Sequence, residues 1–485
     1  MKLSKRLSVD SSVVRYTAFF TVIFVLAAHA FCLFNLTYTS GSVMLSVSDG
    51  RRAQIAGGQY LLPFYWLIRG SISAPLWVGL LSTLYLTAAN IAIAGLLGLR
   101  SPLSLFALCG TMTANAAVTT VFAGALNTAD AVFLSMLLVS LAVACCIRLR
   151  WGAFVGAALL AAALALDAAA LPFFASLALL ALLSHWLDAQ DASEWRRALL
   201  ALLGALGLGL ALYAAGDFVM LRRGGIQQAA SWRTADAPFA PIQALFAPLT
   251  AYPHLSVALR VLLVLLAAAA LLGLWKARGA RHAAIPAFLT PALPLAAGLP
   301  LFSGSPVGQI LPAYCLIDLI PLLLVVRLSS RRVQRFAAGA FGVLFLGSIV
   351  FANQVYLKKN LEFESTLSLT SRIIQRAEEI EGYQPGVTPV AIIGTPENSI
   401  FAVERKGFEH LAALDAAKGH YAIATDEDMI WYCWDVLGYP FNFVSAFELE
   451  QLKADPVVMA MPAFPVEGCC TFVGETLVVK VSPVY

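Results

Sequence analysis

Charge is scarce in this sequence. Only 12% of its 485 residues are Asp, Glu, Lys or Arg, about half of the roughly 25% found in soluble globular domains. So few charges cannot cover the surface of a folded chain of this size in water. With a mean hydropathy of +0.80, the apolar surplus must face lipid. A soluble enzyme is therefore excluded, and no nucleic-acid partner is expected.

The chain also lacks several motifs that carry chemistry. It has no metal-ligand spacing, no Walker-type phosphate loop and no Ser-His-Asp order. No metal or other cofactor is therefore assigned, although the sequence leaves a divalent ion open. The eight cysteines do not form a disulfide framework by their spacing. A bridge from Cys433 to Cys469 or Cys470 remains open if that compartment is oxidising.

Long apolar runs predict about eleven transmembrane helices, since a span needs roughly 20 residues. Backbone groups in lipid must be satisfied internally, and the Ala/Leu runs lack the alternation of barrel strands. The stretch 152–187 reads as two short helices broken near Asp167 and Pro172, or as one long helix followed by a re-entrant piece. The predicted spans are 16–37, 75–98, 102–125, 131–147, 152–166, 170–187, 198–216, 255–275, 283–300, 310–326 and 336–354.

Basic residues alternate along the loops and predict the orientation. With a cytoplasmic N-terminus, the cytoplasmic loops hold sixteen Lys and Arg, and the opposite loops hold seven. Because positive charge is enriched on the cytoplasmic side, this pattern predicts a multi-pass membrane protein with its N-terminus in the cytoplasm and its C-terminal part outside the cytoplasm. The predicted transmembrane domain covers residues 1–354 and includes two long outer loops, 38–74 and 217–254.

Residues 355–485 differ in composition and predict a small extracytoplasmic α/β domain. It begins with a charged amphipathic helix over Leu357–Glu381. The run Gly386–Gly394 predicts a buried strand between turns. The other strand candidates are Tyr421–Ala424, Val457–Met461 and Leu477–Val481.

The first outer loop holds the strongest catalytic candidate. Asp49 precedes Arg51 and Arg52 by a few residues, a pattern suited to an enzyme that handles a phosphate-bearing lipid. The carboxylate would take a proton from an acceptor hydroxyl, while the guanidiniums would hold the phosphate. A solvated loop with a surface ion pair explains the same residues. The following segment, Gln59–Ile68, predicts an interfacial helix with aromatic anchors.

Further candidates lie at predicted outer helix ends. Asp130 opens the fourth span, where a helix N-cap is the simpler explanation. Asp167 interrupts an apolar stretch, so it is a functional candidate or a turn residue at the surface. Arg222, Arg223 and Trp232 make the second long outer loop basic and aromatic. They would bind a lipid phosphate or a sugar ring, or anchor the loop at the interface.

Three segments together resemble the GtrII-like family of membrane glucosyltransferases. They are Ser371–Gly394, which has the post-membrane signature, Ile72–Ser82 after the first loop, and the closing Leu477–Val481. The resemblance covers nearly the whole chain in order. It implies a GT-C-like fold and an inverting or retaining enzyme that takes glucose from a polyprenyl-phosphate carrier. It also implies transfer to a cell-surface polysaccharide on the outer face of the cytoplasmic membrane.

The resemblance assigns the catalytic base to Asp49 and a second acid to Asp130. The chain departs from the family pattern in the same region. It reads Ser48–Asp49 where two adjacent acids are common, Gly58–Gln59 where Gly-Arg is common, and Ser40–Ser42 where His-Asp-Ser is common. An inactive homologue that acts in envelope-glycan assembly is therefore one alternative. A lipid-linked-glycan transporter is another, although no internal repeat of the kind common in transporters is evident.

Overall fold

The computed structural model describes residues 10–35, 51–189, 192–226, 254–298 and 312–483. Within these ranges the chain is mostly helical as far as residue 378, and a small sheet follows. The helices of this first part are, in chain order, α1 Ser11–Phe34, α2 Arg51–Ala56, α3 Leu62–Arg69, α4 Pro75–Leu97, α5 Pro102–Thr113, α6 Ala116–Gly124, α7 Ala129–Arg148, α8 Gly152–Leu166, α9 Ala170–Ala189, α10 Ala192–Gly224, α11 His254–Arg278, α12 Ala280–Ala297, α13 Leu319–Leu328 and α14 Arg331–Glu378.

Eight helical segments of the described chain are long and apolar enough to cross a membrane. One of them, Pro102–Gly124, combines α5 and α6. Gly152–Leu166 and His282–Ala297 are shorter apolar helices, and α13 has only 10 residues. The structure therefore confirms a mostly helical chain with several helices that are long and apolar enough to cross a membrane. The number of eleven spans stays a prediction.

The apolar helices differ in how far they are buried by their neighbours. The most apolar window of Pro102–Gly124 is 83% buried, whereas those of Ser193–Gly224 and Val257–Arg278 are 22% and 28% buried. Large apolar side chains are exposed along α10 and α11. Helices α5 and α6 therefore form the centre of the bundle, and α10 and α11 form its periphery. The exposed apolar side chains of α10 and α11 are stable only in contact with lipid or another protein.

Two helix breaks show how local sequence shapes the bundle. Asn115 separates α5 from α6 and caps α6 through a hydrogen bond from the Ala117 amide to its side chain (2.9 Å). Asp167 ends α8, and its Oδ1 accepts a hydrogen bond from the Ala169 amide (3.0 Å) before α9 begins. The predicted break near Asp167 is thus confirmed. Pro172 lies in the first turn of α9, where proline is tolerated.

The predicted boundaries need correction at two places. Helix α10 continues to Gly224, so the first residues of the loop predicted at 217–254 are helical. The helix predicted at 59–68 is found as α3, which begins at Leu62. Its Leu62 and Trp66 are buried while Leu67 and Ile68 are exposed. This helix therefore packs one face on the bundle and leaves the other exposed, and its position at the membrane interface stays a prediction.

The C-terminal part contains a four-stranded sheet. Its strands are β1 Pro389–Ile393, β2 Asn442–Phe443, β3 Cys470–Val473 and β4 Thr476–Lys480, in the order β2-β1-β4-β3. Strand β1 pairs in parallel with β2 and β4, and β3 pairs with β4 in antiparallel. The short helices of this part are α15 Asp426–Trp431, α16 Ala446–Lys453 and α17 Pro456–Ala460.

Two of the four strand predictions in this part are wrong. Val457–Met461 overlaps helix α17, in which Pro456 stands at the first helical position and Asp455 caps the Val457 amide (2.7 Å). Residues 421–424 form no strand. The strands predicted at Gly386–Gly394 and Leu477–Val481 are confirmed as β1 and β4. The eight cysteines are free thiols, so the bridge from Cys433 does not form.

A single long helix joins the bundle to the C-terminal part. Helix α14 has 48 residues and runs through the predicted domain boundary at residue 354 without a break. Near this boundary Lys359 pairs with buried Glu362 (2.8 Å), and the Lys358 ammonium donates a hydrogen bond to the Ala417 carbonyl. The turn that contains Ala417 also packs against α6. These contacts fix the C-terminal part against one end of the bundle.

Candidate functional site

The predicted site residues that the structure describes gather at one end of the helix bundle. We call this region the α3 face; it comprises α2, α3, the start of α7, the α8–α9 turn and the last two turns of α10. Leu62 and Trp66 of α3 pack on Ala131 of α7 and Leu166 of α8. Asn127, just before α7, lies three residues after α6, which contacts the C-terminal part. The α3 face and the C-terminal part therefore share one end of the bundle.

A buried ion pair holds α3 against α7. Arg69 Nη1 lies 3.0 Å from Asp130 Oδ1, and both side chains are fully buried. Tyr65 donates its hydroxyl proton to Asp130 Oδ2 (2.7 Å), and the Ala131 amide donates to Oδ1 (3.1 Å). A buried ion pair needs such additional hydrogen bonds to offset the loss of water from both charges. Both carboxylate oxygens of Asp130 are thus engaged within the protein.

The guanidinium of Arg69 has further partners. Its Nη1 donates to the Asn127 carbonyl (2.8 Å), and its Nη2 donates to the Ser73 hydroxyl (3.1 Å). These bonds connect the end of α3 to the segments that precede α4 and α7. The contacts support a positioning role for Asp130. Asp130 lies in the first turn of α7 and is not its N-cap, which is Thr128. Its catalytic role stays a prediction.

A second cluster joins the turn after α2 to α10. The rings of Tyr60 and Tyr213 stack with centroids 5.9 Å apart, and Tyr213 donates its hydroxyl proton to the Gly58 carbonyl (3.2 Å). Gly58 has a φ of +82°, which favours glycine. A Cβ at Gly216 would collide with the Tyr60 hydroxyl. Glycine at these two positions lets the turn approach α10 closely.

Asp217 is the exceptional residue of this cluster. It lies one helical turn after Tyr213, so both side chains share a face of α10. Asp217 is only 7% exposed, and its Oδ1 has no hydrogen-bond partner among the residues that the structure describes. A buried polar atom without a partner is costly, and an ionisable residue in an apolar helix is a functional candidate. Asp217 is therefore a functional candidate that the structure adds to those of the sequence.

Four arginines lie on the two helices that meet beside this cluster. Arg51 and Arg52 are exposed on α2, and Arg222 and Arg223 are exposed in the last turn of α10. Buried Ile55 of α2 belongs to the same apolar cluster as the segment around residue 221 of α10. Guanidinium groups bind phosphate oxygens through two parallel hydrogen bonds. The α3 face therefore combines groups suited to phosphate binding with a buried carboxylate oxygen that has no hydrogen-bond partner among the described residues.

The remaining predicted residues have simpler positions. Asp167 is half-buried in the α8–α9 turn, and it caps that turn through Ala169. It lies next to the turn after α2, because the Leu61 amide donates to the Ala165 carbonyl (3.0 Å). Asp49 and Trp232 lie outside the described residues. Asp49 precedes α2 by two positions in the sequence.

The sequence did not single out Arg69, Tyr60, Tyr213 or Asp217 as site residues. Asp217 had one recognisable signal, since it is an acid at the end of an apolar run. The sequence contains no signal for the ion pair of Arg69, because its partner Asp130 is 61 positions away. Among the described residues, no group of three or more His, Cys, Asp or Glu is placed to hold a metal ion.

Comparisons with known proteins identify no relative. The chain matches no family model, no curated protein and no solved structure. The assignment of a function therefore depends on the chemistry of the α3 face and on the resemblance described above.

Proposed function

We propose that this chain is a glycosyltransferase that moves a sugar, glucose by its resemblance, from a polyprenyl-phosphate carrier to a cell-surface glycan. The α3 face carries the proposal. Exposed arginines lie on two packed helices, and one of these helices also carries Asp217, a buried carboxylate whose Oδ1 has no hydrogen-bond partner among the described residues. Transfer from a lipid phosphate needs groups of both kinds, one to hold the phosphate and one to bind the acceptor hydroxyl. The large apolar surface of α10 supports a lipid-borne donor.

The reaction assigns a task to each group. Arg51, Arg52, Arg222 and Arg223 hold the carrier phosphate and stabilise the negative charge that builds up on it. The acceptor hydroxyl attacks the anomeric carbon of the sugar, and the bond from that carbon to the phosphate oxygen breaks. The phosphate leaves with the bonding electrons. The hydroxyl proton passes to Asp49, the base implied by the resemblance.

Asp217 would be the second acid of the reaction. The Asp130 oxygens are already engaged by Arg69, Tyr65 and the Ala131 amide, whereas the buried Asp217 Oδ1 has no hydrogen-bond partner among the described residues. Asp217 is therefore better suited than Asp130 to accept a hydrogen bond from the acceptor and orient it. The half-buried Tyr213 ring lies one helical turn before Asp217, and its exposed part is apolar surface of the kind that packs against a sugar ring.

The proposed topology has about eleven spans, with the N-terminus in the cytoplasm. Both the α3 face and the C-terminal part then lie on the outer side. This arrangement is supported by the basic residues at the ends of α7, α11 and α13, which are Arg148, Lys276, Arg278 and Arg327. A lipid-linked donor and a cell-surface acceptor would meet at that side.

The function is tested by measuring sugar transfer in membranes that contain the full chain. We expect labelled glucose to pass from polyprenyl-phosphate-glucose to an envelope glycan fraction, and no transfer from a nucleotide sugar in carrier-free membranes. If the labelled carrier only changes sides of the bilayer, the chain is a transporter. If neither process occurs with any carrier-linked sugar, the inactive-homologue alternative replaces the proposal.

Neutralising the α2 arginines should weaken donor binding. The double variant Arg51→Gln/Arg52→Gln is expected to raise the KM for polyprenyl-phosphate-glucose about tenfold, because charge-assisted hydrogen bonds to phosphate are lost. Steady-state transfer kinetics measure this change. The matched control is Arg331→Gln/Arg332→Gln, an exposed pair at the start of α14 and far from the α3 face. Equal KM values for both double variants would contradict phosphate binding by α2.

A further inference from the structure

The C-terminal part contains a groove that the proposed reaction does not use. It has a volume of about 360 Å³, within the range of small-ligand sites. One wall is the stretch of α14 from Leu361 to Arg372, and the other comes from the chain between residues 401 and 421. Its lining is mixed and includes Ser365, Ser368, Arg372, Phe401, Arg405 and Tyr421.

Arg405 forms a fixed positive charge in the groove. Its Nη2 donates to the Ser365 hydroxyl (2.5 Å) and to the Leu361 carbonyl (3.2 Å), and its Nη1 donates to the His420 carbonyl (3.4 Å). All these acceptors are neutral. Within the described residues Arg405 has no ion pair, so its charge remains available to a ligand.

Arg372 adds a second positive charge. It is exposed, and its guanidinium lies over the rings of Phe401 and Phe464, 5.4 Å and 5.2 Å from their centroids. Cation–π contacts hold an arginine in place without neutralising it. In the part of the chain that the structure describes, Arg372 makes no ion pair. Its donors can therefore engage an anion.

Several acidic residues lie near the groove, but only one of them lines it. Glu364 lines the groove and accepts a hydrogen bond from Asn360 (2.8 Å). Glu362 is buried behind the wall and paired with Lys359 (2.8 Å). Glu397 and Glu404 contact the His420 ring at 2.7 Å and 3.3 Å and do not line the groove. Among the lining residues the two arginines outweigh the one acid, and the site favours a negatively charged ligand.

The ring of Tyr421 forms the last part of the site, which we call the aromatic wall. Tyr421 donates its hydroxyl proton to the Phe401 carbonyl (3.1 Å), which fixes the position of its half-buried ring. Burial raises the pKa of Tyr421 above its usual value, so the phenol stays neutral beside an anion. A fixed ring offers an apolar surface at little cost in entropy. Such a surface fits the C–H face of a sugar ring, while the Ser368 hydroxyl can bond to the sugar hydroxyls.

We propose that this groove binds an acidic saccharide, with the carboxylate or phosphate on Arg372 and Arg405 and the sugar ring on the aromatic wall. Binding here goes beyond the proposed function, since it needs no donor and no transfer. If the chain is a transferase, such a site would hold an acidic stretch of glycan close to the α3 face, because both lie at the same end of the bundle.

The test is direct binding to the purified full chain in detergent, without any donor. The probes are a hyaluronan tetrasaccharide, which carries carboxylates, and glucose 6-phosphate, which carries a phosphate. The neutral counterparts are chitotetraose and glucose. We expect at least one acidic probe to bind about tenfold more tightly than its neutral counterpart in isothermal titration calorimetry, and the probe that binds identifies the anion. The proposal would be overturned if neither acidic probe bound more tightly than its own neutral counterpart.

Arg372→Gln is expected to raise the Kd of the bound acidic probe about 10- to 100-fold, from the loss of hydrogen bonds to a charged group. The control is Arg376→Gln on the same helix, where Arg376 pairs with Glu379 (3.0 Å) outside the groove. The same Kd for both variants would overturn the proposal. The result does not depend on transfer activity, so failure of the proposed function and failure of this site are distinguishable.

Discussion

The Asp217→Asn variant is expected to lose transfer activity by about 10- to 100-fold, the range for loss of a hydrogen bond to a charged group. Asparagine keeps the shape of the side chain and can still accept a hydrogen bond, but it lacks the negative charge that strengthens the bond from the acceptor hydroxyl. Asp217 Oδ1 is buried and has no hydrogen-bond partner among the described residues, so the change breaks no bond of this atom within them. The fall should therefore appear in kcat/KM for transfer from polyprenyl-phosphate-glucose, without a change in unfolding temperature.

Two further variants make this experiment decisive. Asp188→Asn is the control, since Asp188 is 47% exposed in its ion pair with Arg327 and should leave transfer unchanged. Asp49→Asn tests the base implied by the resemblance and is expected to abolish transfer. Loss of activity in both Asp49→Asn and Asp217→Asn supports a site with two carboxylates. Normal activity of Asp217→Asn would show that the Asp217 carboxylate has no part in the reaction.

The sequence predicted the helical framework well because lipid allows few alternatives. Backbone groups in an apolar medium must bond within their own helix, so long apolar runs translate directly into helices. Even the break at Asp167 followed from local chemistry, since an aspartate that caps a turn stops one helix and precedes the next. Such features depend on neighbours in the sequence and can be recognised there.

The C-terminal part was harder to predict because short apolar runs have no decisive period. Val457–Met461 is apolar enough for a buried strand, but Asp455 and Pro456 form a helix start immediately before it. The preceding cap was the stronger signal. By contrast, the predictions of β1 and β4 are confirmed. Residues that favour strands are frequent in both segments, valine and isoleucine in β1 and valine in β4.

The candidate site was predicted only in part, because its contacts join distant segments. The arginines at 51, 52, 222 and 223 were recognised by type and by their place in the two predicted outer loops. Nothing in the sequence shows that Tyr60 stacks on Tyr213, 153 positions away, or that Arg69 is paired. In the sequence, a charged loop residue that is solvated cannot be distinguished from one that is buried, because burial depends on the packing of distant segments.

The buried pair of Arg69 and Asp130 leads to the second large expected effect. Asp130→Asn keeps the shape of the side chain but leaves the Arg69 charge buried without an opposite charge. Breaking a buried pair in this way costs about 3–5 kcal/mol. We expect a corresponding fall in the unfolding temperature of the full chain in detergent, followed by tryptophan fluorescence. Asp188→Asn is again the control, with a loss of no more than about 1 kcal/mol because its pair is exposed.

A second substitution separates stability from catalysis at this position. Arg69→Met/Asp130→Asn removes both charges, so it should recover much of the stability lost in Asp130→Asn, since apolar replacement of a buried pair is often tolerated. If Asp130 only positions α3, the double variant regains transfer together with stability. A double variant that is stable yet inactive would restore the catalytic role predicted for Asp130. A single variant as stable as Asp188→Asn would contradict the importance of the buried pair.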